Sequence, residues 1–455
     1  MKSNKKFKVV AINDYQNKEK LSDDIIWILM FVISLIHGLM CISQGILSSC
    51  VTEIKNELNL SDEEFSMFGT INGFGSLIGS LIFTLIIEFV SHKYLISIML
   101  IINSVTHFAF FFKMKYWILL LSRFISGFAS VFCYIYFPMW VDEFGIKDWL
   151  NFMQTTVQVS NTIGHIFGYF IYYIIGGKHW KYGFLSETFT VCCLLLVIII
   201  IPTKYYDKNE EEYEPKYNIL NNEEETKLKN ENDEINVKEK KFKYNIIKDI
   251  ICNVPYLLIN LYRANRLFIF VAIDFWFSDY LQNTLQITDP SKIFFSYSLT
   301  IVLSPLLGLI LGGIISNKIG GPKGKYSFKA MYILQIISVI FGFLSNYPSN
   351  INYFTLLMSL YMLLNTASGL ISISASYAVI PKNLIGTATG IYSIAVNLLG
   401  FLPAPYAYAF LKSVLKSGRY IIIIFMIYGL FGGINLITAN INMKKNVIYI
   451  YKDDN

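Results

Sequence analysis

Charged side chains are scarce in this sequence. Asp, Glu, Lys and Arg make up 15% of its 455 residues, whereas an average soluble domain carries about 25%. Hydrophobic residues make up 54%, and the mean hydropathy is +0.48. The net charge of +6 is modest, so nothing in the composition supports a nucleic-acid partner. These values exclude an ordinary soluble domain and indicate a membrane protein.

The sequence also lacks the common signatures of enzymes and metalloproteins. Its six cysteines show no metal-ligand spacing and no disulfide framework. No nucleotide-binding motif occurs, which argues against a primary pump. The tail before the first apolar block is long and polar, so we expect that block to act as a signal anchor rather than as a cleavable signal peptide. We therefore predict a protein that is not an enzyme and uses no metal or cofactor.

Long apolar blocks occupy most of the chain. The block 93–112 has one charge, at its first residue, and the block 419–440 has none after Arg419. Because a bilayer core of about 30 Å needs about 20 apolar residues per helix, we predict an all-α membrane protein with twelve transmembrane helices in two pseudo-symmetric six-helix bundles. The predicted spans are 25–50, 65–88, 93–112, 116–141, 150–175, 182–202, 267–287, 293–316, 327–345, 353–380, 386–411 and 419–440.

This pattern divides the chain into five segments. They are an N-terminal tail at 1–24, an N-terminal bundle at 25–202, a charged linker at 203–266, a C-terminal bundle at 267–440 and a C-terminal tail at 441–455. The linker is dense in Glu, Lys and Asn over 207–243. Such a composition cannot bury a core, so we expect a disordered or partly helical tether.

The distribution of basic residues sets the expected orientation. The loop 317–329 has four Lys and no acid, whereas the loop 51–64 has one Lys and five acids. The loop 412–419, with three basic residues, opposes this trend. Because Lys and Arg accumulate in cytoplasmic loops, we expect both termini and the linker in the cytoplasm. The pattern fits the plasma membrane and an internal organelle membrane equally well.

A short pattern occurs once in each half of the chain. Gly79 lies nine residues before Glu88, and Gly308 lies nine residues before Asn317, so the two copies are 229 residues apart. Each copy closes the second span of its half. A matched feature at corresponding places in two six-span halves is typical of a duplicated transporter.

These residues resemble the loop motif of the major facilitator superfamily, Gly-x-x-x-Asp-(Arg/Lys)-x-Gly-(Arg/Lys)-(Arg/Lys). The matching positions are Gly313, Asn317, Lys318, Gly320 and Lys323 in the second copy, and Glu88, His92 and Lys93 in the first. The segments RFISGFAS (123–130) and GHIFGY (164–169) are similar to helix motifs of the same family. The segment 397–410 is similar to the eleventh helix of spinster-type and organic-anion-type members.

The resemblance implies a carrier that works by alternating access, in which the two halves rock over a site near the membrane midplane. It also implies that substrate contacts spans 1, 4, 7 and 10. The residues to which it gives a gating role are Gly79, Glu88, Lys93, Gly308, Gly313, Asn317, Lys318 and Gly320.

Ionisable residues inside the spans are few, and each is a functional hypothesis because burying its charge costs at least about 2.5–3.5 kcal/mol. Arg123 is the one basic residue well inside a predicted span. It is either an anion anchor or gate latch, or a cap on carbonyls of span 1, where Gln44 lies at a similar depth. Asp274 is a candidate for a coupling proton, and the alternative is a salt-bridged residue of the cavity wall. We expect Asp279 to be solvated.

The histidines and Glu187 are weaker hypotheses. His37 lies at the middle of span 1 and is either a substrate ligand or a polar packing residue. Glu187 either faces the cavity or bonds to a neighbour, and His107 and His165 rank below His37. The candidate substrate and coupling residues are His37, Gln44, Arg123, Asp274, Trp276 and Asn365.

Three functions are compatible with these features. The first is a secondary carrier, proton-coupled in one form, for a small polar or anionic metabolite. The second is a carrier of lysolipids or other amphiphiles, as in spinster-type relatives. The third is a receptor or scaffold that keeps the fold without transport. The expected partners are the lipid bilayer, a small-molecule substrate and protons, and we expect a monomer.

Overall fold

The computed structural model describes residues 22–86, 90–206, 250, 252–319, 326–380 and 385–450. Within these ranges the chain forms twelve long helical segments, which we number as spans 1 to 12. Spans 1 to 6 are Asp23–Ser49, Asp62–Ile86, His92–Phe111, Tyr116–Phe144, Leu150–Ile175 and Trp180–Ile200. Spans 7 to 12 are Val254–Thr284, Pro290–Lys318, Ser327–Leu344, Ile351–Ala378, 385–415 and Gly418–Ile450. The predicted all-α fold is confirmed.

Eleven of these described segments are long and apolar enough to cross a membrane. Span 5 falls short because one side of its helix carries Asn161, Thr162 and His165, which lower the mean hydropathy. All three side chains face the interior of the protein, where they line a cavity. Large apolar side chains cover the outer surface instead, such as Ile200 with 80% of its area exposed and Trp117 with 76%. That distribution suits a protein surrounded by lipid.

The two halves contain matching helix crossings. Span 2 packs along span 4, and span 8 packs along span 10. A Cβ atom on Gly79 would lie 2.9 Å from the carbonyl oxygen of Phe128, and one on Gly308 would lie 3.0 Å from Cβ of Thr366. Small residues at these points let the backbones approach closely, which is how helices associate in lipid. The repeat in the sequence therefore marks the same crossing in each half.

Span 7 begins at Val254, whereas we predicted that the linker reaches residue 266. The side chain of Asn253 accepts a hydrogen bond from the backbone amide of Tyr256, and Pro255 occupies the first turn. Both are strong start signals for a helix. The residues 207–243, predicted to form a tether, lie outside the described part of the chain.

The prediction placed this boundary too late because two arginines interrupt the apolar pattern. Arg263 and Arg266 both lie within Val254–Thr284, a segment that meets the criteria for crossing a membrane. Arg123 is therefore not the one basic residue inside a span. At the other end of the C-terminal half, span 12 continues as a helix to Ile450, into the predicted tail at 441–455.

The two halves contact each other mainly at one end of the molecule. We call this the closed end; it carries the connections 50–61, 176–179, 285–289 and 416–417. Within the described residues, the helix pairs that join the halves extensively all lie toward this end: span 1 with span 7, span 2 with span 11, and span 5 with span 8. The opposite end carries the start of span 1 at Asp23, the end of span 6 at Ile200 and the start of span 7 at Val254.

Close backbone approach holds the closed end together. The Ser278 hydroxyl of span 7 donates a 2.8 Å hydrogen bond to the carbonyl oxygen of Ser49 in span 1. These residues are 229 positions apart, the same offset as the sequence repeat. A Cβ atom on Gly69 would lie 2.8 Å from Cε2 of Phe275 and 2.9 Å from Cγ of Pro405. Any side chain at Gly69 would therefore push the two halves apart.

Candidate functional site

A cavity of about 400 Å³ lies between the two halves. Spans 1, 2, 4 and 5 line one wall, and spans 7, 8 and 11 line the other. Spans 1, 4 and 7 were predicted to contribute, whereas the predicted contribution of span 10 is absent from the described lining, where spans 2, 5, 8 and 11 take part. This volume suits a small-molecule ligand.

The two walls differ in polarity. The N-terminal wall is mostly polar, with Ser43, Gln44, Asn72, Ser76, Arg123, Ser126, Ser130, Tyr134, Asn161, Thr162 and His165. The C-terminal wall is mostly apolar, with Leu267, Phe270, Val271, Phe275, Ile301 and Phe401 beside Asp274, Tyr297 and Asn397. The cavity therefore offers hydrogen bonds to one side of a ligand and apolar contact to the other.

Arg123 is the cation of the described cavity wall. Its Nη2 donates a 2.6 Å hydrogen bond to Oε1 of Gln44, and its Nε lies 3.4 Å from the carbonyl oxygen of Phe68. The side chain of Asn72 donates in turn to the Arg123 carbonyl oxygen, at 3.2 Å. The predicted proximity of Arg123 and Gln44 is correct, but the carbonyl that Arg123 meets belongs to span 2 rather than span 1. The guanidinium is thus held in one orientation with further donors available.

Asp274 connects the two halves at the cavity. The Tyr297 hydroxyl of span 8 donates a 2.7 Å hydrogen bond to Asp274 Oδ1. On the other side, Nδ1 of His165 from span 5 lies 3.7 Å from Asp274 Oδ2. The ring of Tyr169 stacks on that of Tyr297 with centroids 3.5 Å apart, which adds another contact between the halves.

His165 lines the cavity, whereas sequence reasoning ranked it below His37. We placed it below His37 because the sequence does not show which side of span 5 meets the cavity. A usable signal was present: Asn161, Thr162 and His165 lie at spacings of one and three, which places polar groups on one side of a helix. Such a polar stripe in a transmembrane helix faces protein or water rather than lipid.

Three predicted site residues lie outside the described cavity lining. Nδ1 of His37 lies 2.7 Å from the carbonyl oxygen of Val157, between spans 1 and 5, which corresponds to the packing alternative. Trp276 is fully buried, and its Nε1 donates to the Pro405 carbonyl oxygen at 2.9 Å. Asn365 is 1% exposed, and its backbone carbonyl oxygen accepts a hydrogen bond from Nη1 of Arg266 at 3.0 Å. The position along the chain did not reveal how each helix is rotated about its axis, and that rotation turns these three side chains away from the cavity.

The residues of the loop motif are less uniform than the resemblance implies. Lys93 donates to the carbonyl oxygens of Ile199 and Ile201, at 2.9 and 2.6 Å, and so caps the end of span 6. A Cβ atom on Gly313 would have no neighbour closer than 3.8 Å, so close packing does not require glycine there. Asn317 and Lys318 are exposed. The predicted motif positions Glu88 and Gly320 lie outside the described residues.

A chain of ion pairs crosses the closed end. Nζ of Lys412 in span 11 lies 2.6 Å from Asp279 Oδ2 in span 7 and 3.4 Å from Asp62 at the start of span 2. Lys55 pairs with Asp62 from the N-terminal half. Asp279 is 1% exposed, so the expectation that it is solvated is wrong. Lys412 thereby links a buried carboxylate of one half to a carboxylate of the other.

Glu53 also lies at the closed end, in the short helix Val51–Leu58 outside the spans. Burial raises the pKa of its carboxyl, although the Tyr172 hydroxyl donates to it at 3.4 Å. Gln282 of the C-terminal half donates to that same hydroxyl at 3.2 Å. If opening this end hydrates Glu53, the Glu53 carboxyl binds its proton more tightly in the closed state than in the open state. Acid then favours the closed state, and that preference is lost as the pH rises through the raised pKa.

This linkage gives a pH-dependent prediction. We use Ser278→Cys as a reporter in a protein whose exposed Cys192, Cys193 and Cys252 are replaced by serine, because Ser278 is fully buried between the halves. As the pH falls, labelling of this reporter by a thiol reagent is expected to become slower relative to labelling of the same reporter in Glu53→Gln, because only the protein with Glu53 gains its acid-dependent preference for the closed state. The fraction of the reporter cysteine that is a thiolate also depends on pH. The measure is therefore the ratio of the labelling rate of the reporter protein to that of its Glu53→Gln variant, taken at each pH. Glu63→Gln is the matched control, and an identical pH profile in all three proteins contradicts the prediction.

Comparison with known proteins places this geometry in context. The family model described as Major Facilitator Superfamily matches residues 33–405. No curated protein matches the chain significantly. Within the described residues no group of three or more His, Cys, Asp or Glu side chains could hold a metal ion.

Several solved structures share the fold. A bacterial homologue of the human lysosomal transporter Spinster, in an inward-facing and occupied conformation, aligns with a TM-score of 0.75 at 12% identity, covering 94% of this chain and 99% of the other. A D-xylose-proton symporter aligns with a TM-score of 0.67 at 13% identity, covering 91% and 97%. The nucleoside transporter NupG aligns with a TM-score of 0.60 at 13% identity, covering 90% and 98%. At such identities the likeness establishes the fold.

Twelve spans in two matching halves, a cavity between them, and a family model that covers most of the chain agree with one another. The protein is a multi-pass integral membrane protein of the transporter type, and it belongs to the major facilitator superfamily.

Proposed function

We propose that this protein is a secondary carrier that moves a small, polar, anionic solute together with protons by alternating access. The observation that carries the proposal is the composition of the cavity wall. It combines a fixed cation, Arg123, with an acid–histidine pair, Asp274 and His165, that joins the two halves. A single chain forms the whole cavity, so we infer that a monomer suffices.

The arrangement of contacts supports a defined state of the transport cycle. The halves pack tightly at the closed end, and span 1 begins and span 12 ends on the side of the other end. Since the basic loop 317–329 favours cytoplasmic termini, we infer that the closed end faces away from the cytoplasm. The cavity would then exchange solute with the cytoplasm in this state. The next state requires the contacts of Ser278, Lys412 and Tyr297 across the closed end to separate.

Arg123 would bind the anionic group of the solute. Gln44 and Phe68 occupy two of its donors, and a guanidinium has five N–H donors in a planar fork. The remaining donors could bind a carboxylate or phosphate in two places at once. The hydroxyls of Ser43, Ser126 and neighbouring polar residues of the same wall would accept or donate further hydrogen bonds.

Asp274 and His165 would couple the proton to the movement. In this state the two side chains are 3.7 Å apart and belong to different halves, so they must separate when the closed end opens. A charge left unpaired in the membrane is costly. A proton on Asp274 removes its charge, and the halves can then part without leaving a buried carboxylate alone. Proton binding and opening of the closed end are thereby linked.

The test is uptake by purified protein in liposomes, with and without an inward proton gradient, over a panel of hexoses, amino acids, carboxylates and a lysolipid. We expect a carboxylate or another anionic tracer to accumulate only with the gradient. Asp274→Asn is expected to remove the dependence on the gradient, because an amide cannot release a proton. Asp148→Asn, at an exposed position on the same protein, is the matched control. Gradient-driven uptake that persists in Asp274→Asn at every pH would refute coupling through Asp274.

An amphiphile is the second candidate substrate, and the apolar C-terminal wall is the observation that favours it. Leu267, Phe270 and Phe401 line that wall, opposite the polar residues that would hold a headgroup. The sequence resemblance of 397–410 to spinster-type members points the same way. Uptake of the lysolipid, without uptake of sugars, amino acids or carboxylates, would select this candidate. Silence of the whole panel would favour an untested amphiphile or a scaffold without transport.

A further inference from the structure

A second cluster of buried polar side chains lies inside the N-terminal bundle, behind the polar cavity wall. Glu187 of span 6 is 1% exposed, and His107 of span 3 is 2% exposed. Oε2 of Glu187 lies 3.7 Å from Nδ1 of His107. Neither residue takes part in the function proposed above, and neither lies in the lining of the described cavity.

The hydrogen-bonding capacity of this cluster is unused within the described residues. Both carboxylate oxygens of Glu187, both ring nitrogens of His107 and Nδ2 of Asn103 are buried and have no hydrogen-bond partner there. Buried polar atoms in proteins are nearly always paired, and an unpaired one is destabilising. Since 3.7 Å exceeds hydrogen-bond length, the carboxylate and the imidazole do not hydrogen-bond each other, and each keeps free atoms at which a proton can bind.

Two polar contacts connect this cluster to the cavity. Oδ1 of Asn103 accepts a 2.7 Å hydrogen bond from Ser126, which lines the cavity. Ser43, which also lines the cavity, faces the carboxylate of Glu187 without reaching hydrogen-bond geometry. Hydroxyl groups of the cavity wall therefore lie beside the cluster on spans 1 and 4.

The cluster also acts electrostatically on the proposed anion anchor. The charge of Arg123 in span 4 interacts with Glu187 and with His107. Among the described residues, the thiol of Cys41 in span 1 also interacts electrostatically with Glu187. An ionised Glu187 compensates the charge of Arg123 from behind the wall, whereas a neutral Glu187 leaves that charge free to act on an anion in the cavity.

We propose that Glu187 and His107 form a proton-binding site within the N-terminal bundle, and that its protonation strengthens Arg123 as an anion anchor. In this step one proton passes from a hydronium ion in the cavity to the Glu187 carboxylate: one O–H bond of hydronium breaks, one O–H bond forms on Glu187, a water molecule is left, and nothing is oxidised or reduced. Coupling between two sites is reciprocal, so the proton raises affinity for the anion and the anion raises affinity for the proton. The effect on Arg123 rests on the proposed role of Arg123 in the transport of an anion.

The site itself is tested without any substrate, by infrared difference spectra of the purified full-length protein as the pH is changed. Wild type is expected to show a buried carboxylic acid signal that is lost in Glu187→Gln and kept in Asp148→Asn. His107→Gln keeps the carboxyl and is expected to shift the midpoint of this signal. A spectrum of Glu187→Gln that matches wild type overturns the site, and an unchanged midpoint in His107→Gln overturns the part assigned to His107.

The link to Arg123 is tested by uptake of the anionic tracer in liposomes. Acidification of the cavity side is expected to lower KM in wild type by up to about tenfold per pH unit for this proton, the limit for one proton per anion, and to lower KM less in Glu187→Gln, where only coupling through Asp274 remains. Equal pH dependence of KM in the two proteins overturns the link. If no anion is transported, the proposed function fails while the infrared result still decides the proton site. Asp274→Asn should keep the Glu187 signal, which separates this site from Asp274.

Discussion

Replacing Arg123 by Gln is expected to lower uptake of an anionic tracer about 100-fold. The guanidinium is 2% exposed and already oriented by Gln44 and Phe68, so an anion that binds it gains a fixed, desolvated partner. Truncating one partner of a buried charge pair costs about 2–5 kcal/mol, and about 1.4 kcal/mol corresponds to a factor of ten. The measurement is the initial uptake rate in liposomes at a tracer concentration below KM.

Arg123→Lys is the matched variant for this prediction. It keeps the positive charge but loses the planar fork that binds an anion in two places, so we expect a smaller loss, about tenfold. A purely structural role for Arg123 makes a different prediction: both variants would lower the unfolding temperature of the purified protein, and the surviving protein would keep its KM. A KM that is unchanged in Arg123→Gln therefore contradicts the anion-anchor proposal.

Replacing Lys412 by Ala is expected to shift the protein toward a state that is open at the closed end, by about 10- to 100-fold in the conformational equilibrium. Lys412 neutralises Asp279, which is 1% exposed and 2.6 Å away. Without this lysine the buried Asp279 carboxylate loses its cation and keeps the hydrogen bond that Nδ2 of Asn283 donates at 2.8 Å; losing the charged partner costs about 3–5 kcal/mol at a fully buried site. Lys412 is partly exposed, so we expect less than the full value. Opening relieves the cost because it hydrates the carboxylate.

The Ser278→Cys reporter measures this shift. We expect its labelling rate to rise with Lys412→Ala and to remain unchanged with Lys178→Ala, which removes an exposed lysine from the same end. The double variant Lys412→Ala with Asp279→Asn is expected to restore slow labelling, since it removes the unpaired charge along with its partner. Equal labelling rates in wild type and Lys412→Ala would show that the ion pairs do not stabilise the closed state.

The number and order of the helices could be predicted because each depends on a local property. A block of about 20 apolar residues is sufficient for a membrane span. The equivalence of Gly79 and Gly308 in the two halves was visible as a repeat with an offset of 229 residues. The predicted span boundaries are wrong where polar residues interrupt an apolar block. Span 7 starts before Arg263 and Arg266 because Asn253 caps the helix there, and a hydropathy argument gives no weight to a cap.

The site was predicted only in part, for a related reason. Gln44, Arg123 and Asp274 were placed correctly at the cavity because an ionisable or amide group in a span rarely faces lipid. The same argument gave no means to separate His37, which packs between spans 1 and 5, from His165, which lines the cavity. Both are histidines near the middle of a helix, and only the rotation of each helix against its neighbours distinguishes them.

The sequence by itself determined the membrane setting, the twelve spans, the duplicated halves and the family resemblance, because hydropathy, span length and internal repetition are properties of the chain alone. The tertiary structure decided which charges meet. Asp274 pairs with His165, Lys412 joins Asp279 to Asp62, and Glu187 lies beside His107. Every one of these contacts joins different helices, and helix rotation and crossing are set by packing between backbones, which no local pattern in the sequence records.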